Sequence, residues 1–322
     1  MKEDLLLKEF IEKMRLRLPP GENLANYLMQ VLYIGREAAY RRLRGEVPFT
    51  FEEAATISRN LRVSLDELAG EKEPVFIPFY FSRTRVIDEE CPKEEAPADL
   101  AALFEKAKAH RDPDSESGIA LNTLPVVLMV GYPRLLKFRV FKWLYQRDGG
   151  DEAKPYEEVV VPRSVFRHGV EKHLSLAEVN NVSVILDKTI FAHVINDIRS
   201  FVLIGLLSPE DARQIKEDLL ALLDELEHVA STGQNAMGNK LELFLSDISF
   251  ESTYSYTSSR SGLSCAIGIF SMDMMYSVNK SISHAVKQWV DSLKQYSFLI
   301  TKAGGIHRRQ FFNAQRELLA SL

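Results

Sequence analysis

The chain reads as mainly α with an α+β portion. A five-helix domain is expected over residues 1–72, then a helical and antiparallel-sheet region over 73–322 with a candidate sub-boundary near 235. Three observations predict this. Residues 24–70 carry apolar positions at helical spacing, with a start or stop signal at each boundary. Residues 241–271 alternate apolar with polar, the period of half-buried strands. Long amphipathic stretches stand apart from that sheet along the chain, the arrangement of an α+β domain. A chain of 322 residues with 46% hydrophobic and 10% aromatic content has enough apolar material for two or three packed domains.

The N-terminal elements follow one another closely. Leu24, Leu28, Val31 and Leu32 share one face of a helix over Leu24–Tyr33. Gly35 then serves as turn residue and N-cap for a helix over Arg36–Arg44, whose inner face holds Ala39 and Leu43. Gly45 stops that helix as its C′ residue, and Pro48 follows where helix cannot continue. Two capping boxes come next, Thr50-Phe-Glu-Glu53 and Ser64-Leu-Asp-Glu67. Arg36, Glu37, Tyr40, Arg41 and Arg44 are left pointing elsewhere. A short helix crossed by an arginine-rich one is the geometry for lying in a DNA major groove.

This stretch resembles the helix-turn-helix domain of the phage-repressor (Cro/XRE-like) class of bacterial transcription regulators. The likeness rests on Arg41-Arg42-Leu43-Arg44-Gly45, an apolar helix after it, and the closing Val63-Ser-Leu-Asp-Glu-Leu68. It implies a first helix over Leu5–Leu18 and double-stranded DNA as partner. Arg36, Glu37, Tyr40 and Arg41 would then face base edges, with Arg42 and Arg44 on phosphates. The class often has a glutamine at the start of its second helix. Here Glu22-Asn23 stand instead, and Asn23 is the candidate phosphate donor. The tail, Phe311-Phe312-Asn313-Ala-Gln-Arg316-Glu317 with Trp289, Leu293, Ser297, Leu299 and Ile300, is similar to that of a bacterial helix-turn-helix regulator family whose large C-terminal region has no established activity. That likeness spans the whole chain.

Charge distribution bears on the DNA expectation more than totals do. Residues 1–70 hold 11 Lys/Arg against 11 Asp/Glu, yet between Arg15 and Arg44 six arginines face only Glu22 and Glu37. Phosphate neutralisation depends on such local clusters. The remaining residues carry a net charge of −5, a poor match to DNA. The alternatives are a surface helix that is merely solvated, or a five-helix module that serves only protein contacts.

Beyond the first domain, Gly70–Pro74 reads as a linker, Val75–Phe81 as a strand, Asp88–Pro97 as an acidic loop and Ala98–His110 as a helix. Asp112–Gly118 reads as a polar turn and Ile119–Thr123 as a short extended run. Pro133–Tyr145 is a helix buried on most sides, and Pro155–Val161 is ambiguous. Ser175-Leu-Ala-Glu178 reads as another capping box and Val182–Leu186 as extended. Asp187 would cap a helix to about Leu207. Ser208-Pro209-Glu210-Asp211 opens the next one with a cap, an N1 proline and first-turn acids, making an αα-hairpin. Strands over Leu241–Ile248, Phe250–Thr257 and Leu263–Phe270, a hairpin loop at Ser258–Gly262, and helices over Ile282–Tyr296 and Ile306–Leu319 complete the chain.

Chemistry is sparse. Ser277-Val-Asn-Lys280 matches S-x-x-K, but its companion motifs are missing. His168 and His173 lack the convergent partners of a zinc site, and no phosphate-binding glycine loop occurs. Neither enzyme activity, metal nor cofactor is therefore expected. Lys302-Ala-Gly-Gly-Ile-His307-Arg308-Arg309 puts basic residues at a helix start, where an anionic effector would be welcome; solvation or pairing with acids elsewhere is the plainer reading. Tyr254, Tyr256, Phe270 and Tyr276 either line a ligand pocket or pack across strands. The first residues are acidic and lack a cleavage site, no apolar run reaches membrane-spanning length, and Cys91 and Cys265 stand alone. These features favour a cytoplasmic, non-membrane protein. A single small DNA-binding module is seldom specific, so a homodimer held by the C-terminal region is expected.

Overall fold

The computed structural model describes residues 3–18, 21–61, 63, 65, 68, 79–82, 109, 111–147, 149, 154–235, 238–269, 271–302 and 304–322. The chain divides into two compact units, Met1–Ile77 and Pro78–Leu322.

The first unit contains α1 (Glu3–Arg17), α2 (Leu24–Leu32), α3 (Arg36–Leu43) and α4 (Phe51–Leu61). Leu65 and Leu68 are also helical, while the second expected capping box, at Ser64–Glu67, and most of a fifth helix lie outside the described residues. Met14, Leu28, Ala39 and Ile57, one from each helix, are fully buried and meet in a single core with Phe10, Leu61, Val63 and Leu68. The signals at the boundaries act as local chemistry requires. Thr50 Oγ accepts from Glu53 N at 3.2 Å and Thr50 N donates back to the Glu53 carboxylate at 3.0 Å, a complete capping box. Gly45, at φ 77°, donates to Arg42 O, and Glu46 N donates to Arg41 O at 2.9 Å, the paired bonds of a Schellman stop. The turn before α3 differs from expectation. Gly35 is the N-cap with extended backbone, but the left-handed residue is Tyr33 at φ 54°.

The second unit is built on one eight-stranded sheet. In chain order it contains β1 (Tyr80–Ser82), β2 (Asp112–Leu121), α5 (Val126–Met129), α6 (Pro133–Arg147), a 3₁₀ turn at Tyr156–Glu158, α7 (Arg163–Ala177), β3 (Val179–Asp187), α8 (Ile190–Leu203) and α9 (Pro209–Thr232). Then follow β4 (Lys240–Ser246), β5 (Tyr254–Ser259), β6 (Gly262–Ile269), β7 (Asp273–Ser277), α10 (Lys280–Gln295), β8 (Ser297–Leu299) and α11 (Gly305–Ala320). The sheet order is β1-β7-β6-β5-β2-β3-β4-β8. The unit thus combines helices and sheet, but the sheet is mixed rather than antiparallel: β2, β3 and β4 run parallel through helical crossovers. Strands before and after residue 235 share this sheet, as β4 pairs with β3 from Asn181↔Lys240 to Asp187↔Ser246.

Side-chain alternation assigns the two faces. Leu121, Val184, Leu186, Leu243 and Leu245 join α6, α8, α9 and α11 in the larger core. Ala120 and Ile185, one register step away, join Val286, Val290 and Leu293 of α10 on the opposite face. The hairpin expected at Ser258–Gly262 is present, with Arg260 and Ser261 between Ser259 and its partner Gly262.

Several local expectations yield to tertiary context. Asp112–Gly118 is not a turn but the first part of central strand β2. Its buried serines are satisfied: Ser117 Oγ donates to Tyr256 O at 2.8 Å, and Ser115 Oγ accepts from Asn180 N at 2.9 Å. Ser175–Glu178 is no helix start; it is the last turn of α7, and Glu178 its C-cap. Asp187 ends β3 and holds Thr189, the N-cap residue of α8, through its carboxylate. Ser208 caps α9 as expected, accepting from Asp211 N at 3.0 Å. The start of α6 is capped from elsewhere. Asp218 of α9, itself buried, accepts from Arg134 N at 2.9 Å and Leu135 N at 3.1 Å. Of the earlier expectations, Gly70–Pro74, Asp88–Pro97, Cys91, all but Ala109 of the Ala98–His110 helix, and Phe270 fall outside the described residues.

Candidate nucleic-acid interface

Three residues, Tyr33–Gly35, join α2 to α3, and α3 buries only a narrow strip: Ala39 fully and Leu43 partly. Arg36, Glu37 and Arg41 are exposed and Tyr40 partly so. Arg36 is exposed, its guanidinium carbon 5.8 Å from the Tyr40 ring centre, and no carboxylate among the described residues pairs with it. Arg41 is half exposed and stands 3.5 Å from Glu46. Arg44 bridges two acids, Glu37 at 3.1 Å and Glu46 at 2.6 Å. Hydrogen bonds from Glu46 and Glu37 push the Arg44 pKa up, and the bond to Arg44 holds the Glu46 carboxyl below its usual range. All three side chains lie in water, where such pairs are weak and exchange readily for a phosphate.

Arg42 is a correction. Its Nε and Nη2 reach both oxygens of Glu53 at 2.9 and 2.7 Å, and Nη1 donates to Ala38 O at 3.2 Å. Both side chains keep only about one-seventh of their surface in solvent, 14% and 16%. A guanidinium committed to α4 cannot also meet a phosphate, so Arg42 belongs to the scaffold.

Asn23 has a structural duty too. It is the N-cap of α2, with Oδ1 accepting from Ala25 N at 2.9 Å and Asn26 N at 3.4 Å. The fold nevertheless brings it beside part of α3: Asn23, Arg15 and Tyr40 line one surface depression at the start of α2. Arg15, more than half exposed and paired with Glu12 alone among the described residues, was not among the expected contacts. The sequence marks Arg15 only as the start of the basic cluster that runs to Arg44; its nearness to Asn23 and Tyr40 comes through folding.

The expected basic helix start in the second unit holds together differently. Gly304, at φ 72°, precedes α11, and a Cβ there would lie 2.2 Å from Leu299 O, so glycine is required. Arg308 Nη1 donates to Ile300 O at 3.0 Å and Ala230 O at 3.4 Å, closing the end of α9. His307 stacks on Phe298 with ring centres 4.2 Å apart, and Lys302 N donates to Ala230 O. Arg309 borders a depression shared with Asp224 and Glu227. Carboxylates there would repel an anion. Of Lys302, His307, Arg308 and Arg309, the structure thus engages the side chains of Arg308 and His307 within the fold, which speaks against an anionic effector site built on all four.

Catalytic geometry is likewise absent at Ser277 and Lys280. Ser277 ends β7, Lys280 opens α10, and Asn279 between them is the helix cap, so they do not lie one turn apart on a helix. His168 and His173 both fall on α7, and no group of three metal-binding side chains occurs among the described residues. Tyr254 and Tyr256 pack against the α10 face, whereas Tyr276 lies on the other side of the sheet. Tyr256 joins a closed network in which Lys287 Nζ donates to Glu116 at 2.8 Å, Asp291 at 3.0 Å and the Tyr256 hydroxyl at 3.1 Å. Burial works against the Lys287 charge, but these bonds outweigh it and raise its pKa. Every member has its partner, so the network is structural. No helix among the described residues is long and apolar enough to cross a membrane.

Comparison with protein-family models, with curated proteins and with solved structures gives no match. Function must be argued from the residues.

Proposed function

We propose that the chain is a sequence-specific DNA-binding transcription regulator whose N-terminal unit is a helix-turn-helix domain reading the major groove with α3. The observation that supports it is a short helix, joined to α2 by three residues, with Arg36, Tyr40, Arg41 and Arg44 all outside the core. Glu37 lies among them and would accept from a base edge once Arg44 turns to phosphate. Arg15 and Asn23 extend the positive and polar surface to the start of α2. The unit over Pro78–Leu322 brings two copies together, since one such module offers too few contacts for specificity.

The acid partners of Arg41 and Arg44 favour a second reading, in which the neutralised α3 face docks a protein. An electrophoretic mobility shift with duplex from upstream of the chain's own gene, titrated with salt, separates the two. A regulator shifts the duplex with a steep salt dependence and outlasts unrelated competitor DNA. No shift at low salt would leave the docking reading standing.

A further inference from the structure

A cavity of about 850 Å³ lies against the sheet face opposite α10, within the range of about 300–1,000 Å³ typical of small-molecule sites. Its floor includes Ile119 of β2, Val184 of β3, Leu243 of β4 and Met274 of β7, with Ser255 and Ser264 adding hydroxyls on the neighbouring β5 and β6. Val126 of α5, Arg139 of α6 and Gly169 of α7 close it from the helical side. Parallel strands in such a core normally fill the space against their crossover helices with side chains. Here they leave room.

Arg139 is the unusual wall residue. It sits on α6 between the buried Phe138 and Val140, with Leu135, Leu136, Lys142 and Trp143 one turn away on its own face. One terminal nitrogen, Nη2, donates to Ser271 O, and Nε is buried without any partner. The acid nearest in effect, Asp197, is already paired with Lys142. Burial lowers the Arg139 pKa to about 10, the direction expected of a cation without adequate compensation. Arg139 as a whole is partly exposed, but a guanidinium Nε shut off from water without a partner is costly unless something negative meets it. Glu225, which also borders the cavity, is engaged by the Tyr132 hydroxyl at 2.5 Å. Glu251 and the buried Asp273 border the cavity as well, so Arg139 beside an apolar floor suits no more than a single negative charge on an apolar body. A dianion would meet Glu225 with no second cation to balance it, because Lys142 is taken.

We propose that this cavity binds an amphipathic monoanion, a carboxylate on a hydrocarbon body, with the carboxylate on Arg139 and the hydrocarbon along the sheet. This stands apart from the DNA-binding reading and does not depend on it. Calorimetric titration of the full chain with decanoate and with 1-decanol tests it. Decanoate should saturate at one per chain and bind roughly tenfold or more tighter than the alcohol, the difference made by a charged hydrogen bond. Arg139→Gln should erase that preference while still binding decanol. If Arg139→Gln does not fold, Ser264→Phe, which fills the floor, should abolish binding of both compounds with the circular dichroism of the native chain retained. The proposal is overturned by any one of three results: no saturable decanoate binding, equal affinity for acid and alcohol, or native decanoate binding by Ser264→Phe.

Discussion

Arg42 and Glu53 tie the end of α3 to the first turn of α4 through two parallel hydrogen bonds of 2.9 and 2.7 Å. The same carboxylate accepts from Thr50 N, so one acid both caps α4 and anchors the helix that carries the outward-facing arginines. A bidentate, largely desolvated pair of this kind fixes orientation as well as adding stability.

Arg42→Ala should therefore act on folding before it acts on DNA. Removing the guanidinium leaves the largely shielded Glu53 without its main partner, which costs about 2 kcal/mol. Denaturant unfolding of the first unit reads that loss directly. A variant of native stability that no longer binds DNA would return Arg42 to the contact surface.

The same pair makes the first unit acid-sensitive. The bond to Arg42 lowers the Glu53 pKa below its unfolded value, so the folded state holds this proton less tightly than the unfolded chain. The stabilisation is complete above the ordinary carboxylate value and is lost as pH falls through the folded one. Melting temperature should drop between pH 5 and pH 3, roughly the range that linkage assigns to such a carboxylate, and less steeply in Glu53→Gln. Identical slopes for the two proteins would show that Glu53 does not drive the transition.

Arg41 and Arg44 should separate by the kind of binding they lose. Arg41→Ala is expected to cost about 1–3 kcal/mol against the preferred site and to relax discrimination at one base pair. Arg44→Ala should weaken all sequences alike and lower the salt slope by about one. Fluorescence anisotropy on matched and scrambled duplexes over a salt series distinguishes them. Two variants indistinguishable from the native chain would remove α3 from the groove.

Asp218, a buried acid of the second unit, should be costly to remove. It supplies the only side-chain cap that the described residues show for α6, across 84 and 83 residues of chain, while Arg134 Nη1 adds a third contact at 3.3 Å. Asp218→Ala leaves two first-turn N–H groups unsatisfied near the core and should cost about 2–3 kcal/mol. Asn in its place should recover part of this, since one oxygen still accepts. Thermal unfolding of both variants checks the order.

Assembly is testable with the two units apart. Residues 78–322 should scatter light as a dimer and residues 1–77 as a monomer with weak, poorly discriminating DNA binding. A monomeric 78–322 would mean that specificity comes from elsewhere.

The amino-acid sequence by itself determined the pieces whose cause lies within a few residues. The Gly45 stop, the Thr50 capping box, the Ser208-Pro209 start and the Arg260–Ser261 hairpin all depend on neighbours in the chain, so their residues announce them. Face assignment of Ala39 and Leu43 follows from helical period alone. The tertiary structure decided everything that depends on distant partners. β2 looks like a turn until Asn180 and Tyr256 satisfy its serines, and Ser175–Glu178 looks like a start until α7 is seen running into it. Arg42 turned from contact to scaffold because Glu53, eleven residues on, folds back to it. Arg308 likewise turned inward to Ala230 and Ile300 carbonyls. The cavity and its lone guanidinium were invisible for the same reason. A buried charge is defined by what surrounds it, and surroundings are assembled from strands and helices far apart in the chain.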